Sequence, residues 1–207
     1  PIMTSRGGPF EWLFCHIFLE RYGRGTLSGD IGKLRLKSVA RVLQGIEILV
    51  SLGVKKIFIE DDSLLAKKPR IKELFTAILN HGLTLADVNG VNLSHIFQNT
   101  GHGTLEPDRD YLELLYNAGL EQIVFPVESG SQRMLNKCAS RKLQLAIMDV
   151  IKLTKIAREI GIICPVNMMI GFPHQTEQEM MMTEELARKL IDEGAEYITL
   201  FIPNPFP

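Results

Sequence analysis

Apolar runs of strand length alternate with helix-period stretches along almost the whole chain, and this alternation restricts the fold more than any other feature of the sequence. Repeated strand–helix units read as βα units around a parallel sheet. An opening strand ends near Thr4. Ser38 then stands as N-cap to a helix with Val39, Val42, Leu43, Ile46 and Leu49 on one stripe, ending at Gly53. Lys56-Ile57-Phe58-Ile59 reads as a buried strand, and Pro69 opens a helix through Leu74, Phe75 and Ile78 to Gly82. Residues 83–91 form a third strand. Residues 94–108, rich in Gly, Asn, His and Pro, read as a loop longer than most βα connections. A short helix over 111–118 stops at Gly119, and 122–127 is the fourth strand. A small helix over 132–137 leads into a longer one over 143–160, closed by Gly161. Residues 164–170 are the fifth strand, Thr176-x-x-Glu179 is a capping box for a helix to Glu193, and 197–202 is the sixth strand.

Six such units predict an α/β fold, an open (β/α)6 partial TIM barrel, since a complete eight-unit barrel takes about 250 residues. A doubly wound sheet is the alternative, because local pattern does not fix strand order. With 45% apolar residues in 207, the chain can bury one sizeable core, so a single domain over residues 1–207 is expected. The net charge is −1, with both signs dispersed, which argues against a nucleic-acid or membrane surface. No apolar run is long enough to cross a bilayer, and no signal-peptide pattern opens the chain. Cys15, Cys138 and Cys164 are distant and odd in number, so a disulfide framework is not indicated and a cytoplasmic setting is the expectation. The start at Pro1 and the stop just after an apolar strand suggest a core cut from a longer chain.

Barrel proteins carry ligand residues at the C-terminal ends of their strands. The first strand runs into Ser5-Arg6-Gly7-Gly8-Pro9-Phe10-Glu11-Trp12-Leu13-Phe14-Cys15. The second ends in Glu60-Asp61-Asp62-Ser63, the third in Asn89-Gly90-Val91-Asn92, and the fourth in Val127-Glu128-Ser129-Gly130-Ser131-Gln132-Arg133. The fifth ends in Met168-Met169-Ile170-Gly171-Phe172-Pro173 and the sixth in Phe201-Ile202-Pro203-Asn204-Pro205. Each segment has a plain structural alternative. Cys15 serves as a small buried hydrophobe, Phe14 as core packing, the three acids as a solvated approach to a helix, Asn89-Gly90 as a turn, Ser131 as an N-cap beside an incidental acid, and Gly171 with Pro173 as a turn. Pro126 is an unusual strand residue. The histidines at 81, 95, 102 and 174 lack metal-ligand spacing, Met180 to Met182 read as packing, and Asn92-Leu93-Ser94 is a glycosylation sequon without meaning in a cytosol.

Taken jointly and in order, these segments resemble the core of radical S-adenosylmethionine (SAM) enzymes of the cobalamin-associated type. The first matches the family's S-R-G-C-P-F-x-C-x-F-C except that Gly8 and Trp12 stand at two of the three cysteine positions, leaving Cys15. Three thiolates at that spacing hold one corner of a [4Fe–4S] cluster and leave one iron open, for SAM in this family. The resemblance implies that Phe14 flanks adenine, that Glu60, Asp61 and Asp62 meet the SAM amino group, as carboxylates suit an ammonium, and that Asn89 and Asn92 lie in the N-G-V-R segment, Asn92 replacing its Arg. It further implies Glu128 at the ribose, Ser129 and Arg133 as donors to the SAM carboxylate, and Ile170 packed on adenine with Gly171 admitting the backbone. Pro126 departs from the family's usual Gly.

Two functions follow. One is a radical SAM domain, descended from an enzyme that methylates or rearranges an unreactive carbon and impaired as written, because Cys15 alone does not hold a cluster. The other is a non-catalytic barrel that binds SAM, another small ligand or a protein partner. A metal-independent barrel enzyme is a third class, for which no acid–base or nucleophilic constellation stands out. An upstream cobalamin-binding domain and a small-molecule substrate belong to the expectation for the parent protein.

Overall fold

Parallel strands lie side by side in chain order in the computed structural model, which describes residues 1–9, 15, 32–101, 103–139 and 142–204. The opening segment bridges to β3 (Lys56–Ile59) at Ile2, with Ile2 N donating to Phe58 O over 2.8 Å and Glu60 N to Ile2 O over 2.9 Å. Next to β3 come β4 (Thr84–Asp87) and β7 (Leu120–Gln122), then β8 (Phe125–Glu128), β9 (Pro165–Met169) and β10 (Tyr197–Phe201). The bridge between Gln122 and Ile163 joins the two three-stranded sheets. Treating β7–β8 as one interrupted strand gives six strands in the order 1-2-3-4-5-6, without the reversal that a doubly wound sheet requires. This is the partial barrel expected from the sequence.

The helices run between the strands. Among the described residues they are α1 (Val39–Ser51), α2 (Lys68–Ile78), α3 (Arg109–Asn117), α4 (Gln132–Cys138), α5 (Val150–Ile160) and α6 (Glu177–Glu193). Contacts pass from α1 to α2 to α3 to α5 to α6, a succession on the outside of the sheet, while the short α4 stands at the end of β8. Caps explain where the helices start. Ser38, Asp108, Ser131, Asp149 and Thr176 each accept a backbone N–H of the first turn, and Thr176 with Glu179 completes the expected capping box. One continuous core fills the space between sheet and helices, with Ile46, Ile71, Phe75, Leu85, Tyr111, Leu115, Phe125, Leu153 and Val166 almost fully buried. Among the described residues no helix is long and apolar enough to cross a membrane.

Several boundaries differ from the sequence reading, each for a local reason. The expected loop over 94–108 contains a 3-10 turn, Leu93–His95, and an antiparallel hairpin of β5 (Phe97–Asn99) and β6 (Leu105–Pro107). Buried Ile96 and Phe97 anchor it. The helix expected from 143 begins at Val150, because Leu105 N takes Ile147 O at 3.0 Å and Met148 bridges to the hairpin. The third strand stops at Asp87, whose Oδ2 accepts from Gly90 N over 3.1 Å. In the fourth strand the ladder slips between Pro126 and Glu128, as expected where a proline lacks its N–H. Met181 and Met182 are exposed rather than packed; the buried stripe of α6 is Glu179, Thr183 and Leu190. Cys15 is half-buried, not a core residue.

Candidate ligand site at the strand C-terminal ends

Because the six strands are parallel, their C-terminal ends share one rim, which carries the described residues of the segments singled out in the sequence. The rim has two differently built parts.

At the first two strands, carboxylates hold backbone. Asp61 is fully buried and accepts from Thr4 N at 2.5 Å, Thr4 Oγ1 at 2.6 Å and Ser5 Oγ at 2.7 Å. Asp62 Oδ2 accepts from Gly7 N at 2.7 Å. Arg70 donates to Thr4 O at 3.0 Å and to Lys37 O at 2.8 Å, tying the strand end to β2 (Arg35–Leu36), which pairs with β1 (Ser5–Arg6). Burial lowers the Arg70 pKa below its ordinary value, and Asp61 opposes that shift. Gly7 is irreplaceable in this turn: its φ is +74°, and a Cβ there would lie 2.2 Å from Lys33 O. Gly8, where the family motif places a cysteine, is different. A Cβ built on it meets nothing within 4 Å among the described residues. The Gly8 backbone N donates to Gly32 O at 3.1 Å, closing the base of the loop. Trp12 and Phe14 lie outside the described residues.

Among the described residues the donor set does not make up a cluster site. Gly8 has no ligating atom, and no group of three or more His, Cys, Asp or Glu able to hold a metal occurs among the described residues. Burial pushes the thiols of Cys138 and Cys164 up, away from the thiolate that a metal needs.

Around the fourth strand end the rim is dense. Glu128 is 5% exposed and carries a positive φ of 67°, and its Oε1 is held by Lys142 Nζ. Ser129, fully buried, shares a hydrogen bond with Thr183 Oγ1 at 3.2 Å and accepts from Ser131 N at 3.1 Å. Gly130 N donates to Thr183 Oγ1 at 3.1 Å, and a Cβ at Gly130 would lie 2.3 Å from Met182 O. Ser131 Oγ donates to Glu179 Oε1 at 2.8 Å and caps α4 through Met134 N. The Arg133 guanidinium, read from the sequence as a donor to the SAM carboxylate, instead grips Glu179 through two bonds of 2.8 and 2.6 Å and reaches His174 O at 2.9 Å. That clamp, with the Thr176 backbone N–H, holds the Glu179 carboxyl far below the usual range.

At the remaining ends, Glu60 is half-buried and Asn89 exposed. Asn92 is buried, its Oδ1 accepting from Ser94 N at 2.9 Å and Ser94 Oγ at 2.7 Å, while its Nδ2 lacks a hydrogen-bond partner among the described residues. Ile170 N donates to Phe201 O at 3.0 Å, continuing the ladder, and Gly171 N donates to Gln175 Oε1 at 2.7 Å with φ +81°. Phe172 packs on Met134 and Cys138 and so seats this turn on α4.

The sequence reading missed Lys142, Thr183, Glu179 as a clamp, and Asp87. The last is fully buried; its Oδ2 accepts from Gly90 N and Val124 N at 3.1 Å each, and desolvation raises its pKa to about 7. Of these, only Glu179 left a sequence signal, through its capping box.

A profile of the radical SAM superfamily matches residues 13–187. The chain belongs to that superfamily. An uncharacterized methyltransferase of Pyrococcus horikoshii is 28% identical over 207 residues, which is 100% of this chain and 39% of that protein. Cytidylyl-2-hydroxyethylphosphonate methyltransferase of Streptomyces wedmorensis is 29% identical over 173 residues, 83% of this chain and 28% of that protein. Among solved structures, the radical SAM methyltransferase TsrM from Kitasatospora setae, with cobalamin and a [4Fe–4S] cluster bound, superposes with a TM-score of 0.74 at 16% identity, over 97% of this chain and 33% of TsrM. The cobalamin-dependent radical SAM enzyme OxsB with aqua-cobalamin gives 0.69 at 16% identity, over 90% of this chain and 26% of OxsB. The likeness to both structures is one of fold. This radical SAM chain thus spans well under half the length of its curated relatives.

Proposed function

We propose that this chain is a radical SAM barrel of methyltransferase-like descent that binds an adenosyl ligand along the ends of strands four and five and, as written, does not hold the [4Fe–4S] cluster. SAM would lie with its ribose at Glu128 and its adenine at Ile170 and Gly171. Its amino group would face the Glu60–Asp62 end. Ser129 would sit beneath the ligand, its hydroxyl fixed by Thr183. A cluster, where three thiolates hold one, supplies the electron that cleaves SAM. Gly8 and Trp12 remove two of those thiolates, so methyl transfer or rearrangement at an unreactive carbon would be impaired. The observation that carries this reading is the pairing of a residue without a ligating atom at Gly8, whose Cβ direction meets no described residue, with an ordered E-S-G-S strand end. A cobalamin-binding domain upstream, a small-molecule substrate and a cytoplasmic setting complete the proposal for the parent protein; cobalamin in TsrM and OxsB supports the first.

The replacements at positions 8 and 12 also favour a second reading, a barrel that binds SAM, a similar nucleoside or a protein partner with no radical step. Both readings are tested by measuring iron, sulfide and the EPR spectrum after anaerobic reconstitution of the chain beside its Gly8→Cys/Trp12→Cys variant. S-adenosylhomocysteine binding is measured on the same samples. Cluster uptake by the variant alone supports the proposal. Uptake by the chain as written returns an active radical enzyme, and nucleoside binding without uptake in either sample supports the non-catalytic reading.

A further inference from the structure

Two costly features coincide at Glu128. Its φ of 67° is left-handed, which costs a residue with a side chain on the order of 1–3 kcal/mol. The strain falls where the β8–β9 register slips, between Pro126 and Glu128, and slips of this kind re-aim a side chain beside a functional site. The second feature is the ion pair with Lys142, whose side chains retain 7% and 3% exposure for Glu128 and Lys142. Desolvating two charges so completely cancels much of their attraction, and an apolar pair of the same volume is often as stable or more so. Fold stability therefore explains neither the backbone strain nor the dry pair.

Lys142 is delivered from the turn between α4 and α5, where its backbone N donates to Ala139 O at 3.1 Å. Its ammonium binds Oε1 of Glu128. Among the described residues, the Arg133 guanidinium near this strand end is committed to Glu179 and His174. We infer that Lys142 is a positioning residue of the adenosyl site: it neutralises and orients the Glu128 carboxylate so that Oε2 accepts hydrogen bonds from the hydroxyls of a ribose. This role rests on the adenosyl reading proposed above. A ribose diol is neutral and cannot balance a carboxylate as the ligand closes over it, whereas an ammonium already bound to the other oxygen does so without taking part in the contact.

The test compares S-adenosylhomocysteine with its 2′,3′-dideoxy analogue by calorimetry on the wild-type chain and on Lys142→Arg, Lys142→Met and Glu128→Gln/Lys142→Met, with melting midpoints recorded. The wild-type chain is expected to bind the hydroxylated ligand about tenfold more tightly, as for hydrogen bonds to a charged acceptor. Lys142→Met should bring that ratio to about one while affinity for the dideoxy ligand stays within about twofold, and Lys142→Arg should keep most of the preference. Lys142→Met leaves a buried carboxylate unpaired. The double variant removes both charges, is expected to fold, and should show the same ratio near one. A preference unchanged in either Met variant overturns the role of Lys142 alone. Parallel loss of both ligands assigns Lys142 to the fold and overturns it too. If the wild-type chain binds neither ligand, the adenosyl reading itself falls and takes this inference with it.

Discussion

Gly8 and Gly130 stand at the ends of the first and fourth strands, and their surroundings are opposite. A Cβ at Gly8 meets nothing within 4 Å among the described residues, whereas one at Gly130 would sit 2.3 Å from Met182 O and 2.6 Å from Met182 C. Around Gly130 the E-S-G-S segment is fastened to α6 through Thr183 and Glu179. Around Gly8 the fastening is through backbone alone, Asp62 holding Gly7 N and Gly8 N donating to Gly32 O at 3.1 Å. On the proposed reading Gly8 stands where a cofactor-facing cysteine would be, and no described residue packs against its Cβ direction. Gly130 is part of the packing itself. If the proposed function holds, a barrel site of this kind loses a metal ligand while the framework at the fourth strand end stays whole.

The sharpest way to break this comparison is to add a methyl group on the crowded side. Gly130→Ala forces a backbone shift of α6 or of the strand end and should cost about 3–4 kcal/mol, read as a lowered urea midpoint with little change in slope. A loss below about 1 kcal/mol would mean that the latch yields easily, and the contrast with Gly8 would collapse. Asp61→Ala comes next. It strips three hydrogen bonds of 2.5, 2.6 and 2.7 Å from donors on the buried Thr4 and Ser5, and about 3 kcal/mol should be lost. A near-neutral result would show that the first strand end does not depend on Asp61 and would free its carboxylate for a ligand.

The architecture was legible because its signals are local and repeated: N-caps at Ser38, Ser131 and Thr176, the last in a capping box, and apolar runs at two periods mark the units, while the caps Asp108 and Asp149 went unread. The site was legible as a set of segments but not as a set of contacts. Asp61 and Arg133 were read as facing a ligand, yet the first is spent on Thr4 and Ser5 and the second on Glu179 and His174. No spacing rule distinguishes a carboxylate that meets an ammonium from one that meets a backbone N–H. Lys142 and Thr183 lie 14 and 54 residues from their partners Glu128 and Ser129, and pairings of that range depend on the tertiary fold. The hairpin at 97–107 was hidden because its strands have three residues each, too short for period-two alternation to register.

A smaller effect separates the two halves of the rim by pH. Burial holds the carboxyl of Asp87 at about 7 against an ordinary 3.8, so between those values the folded chain binds more protons than the unfolded one. Stability attributable to Asp87 therefore falls as pH rises through that window. Asp87→Asn should flatten the slope and leave the variant more stable than the parent at pH 8 by about 1–2 kcal/mol. Its amide oxygen can still accept from Gly90 N and Val124 N, and its NH2 takes the place of Oδ1, which has no partner among the described residues. Denaturant midpoints from about pH 5 to 8 provide the check; parallel slopes for parent and variant would rule Asp87 out as the titrating group.

The smallest expected effect lies at Gly8 and bears most directly on the proposed function. Its φ is not left-handed, and nothing among the described residues lies within 4 Å of a Cβ built on it. Alanine there clashes with no described residue and narrows the unfolded ensemble, so Gly8→Ala should leave stability unchanged or raise it by about 0.5 kcal/mol. Denaturation of the purified chain gives the answer without iron or ligand. A loss above about 1 kcal/mol would show that the space beside Gly8 is filled, and Gly8→Cys would then fail to restore a ligand for steric reasons. An unchanged midpoint gives the Gly8→Cys/Trp12→Cys reconstitution its meaning at position 8: failure of that variant to take up iron would then count against the loop as a cluster site, not against the fit of the new side chain.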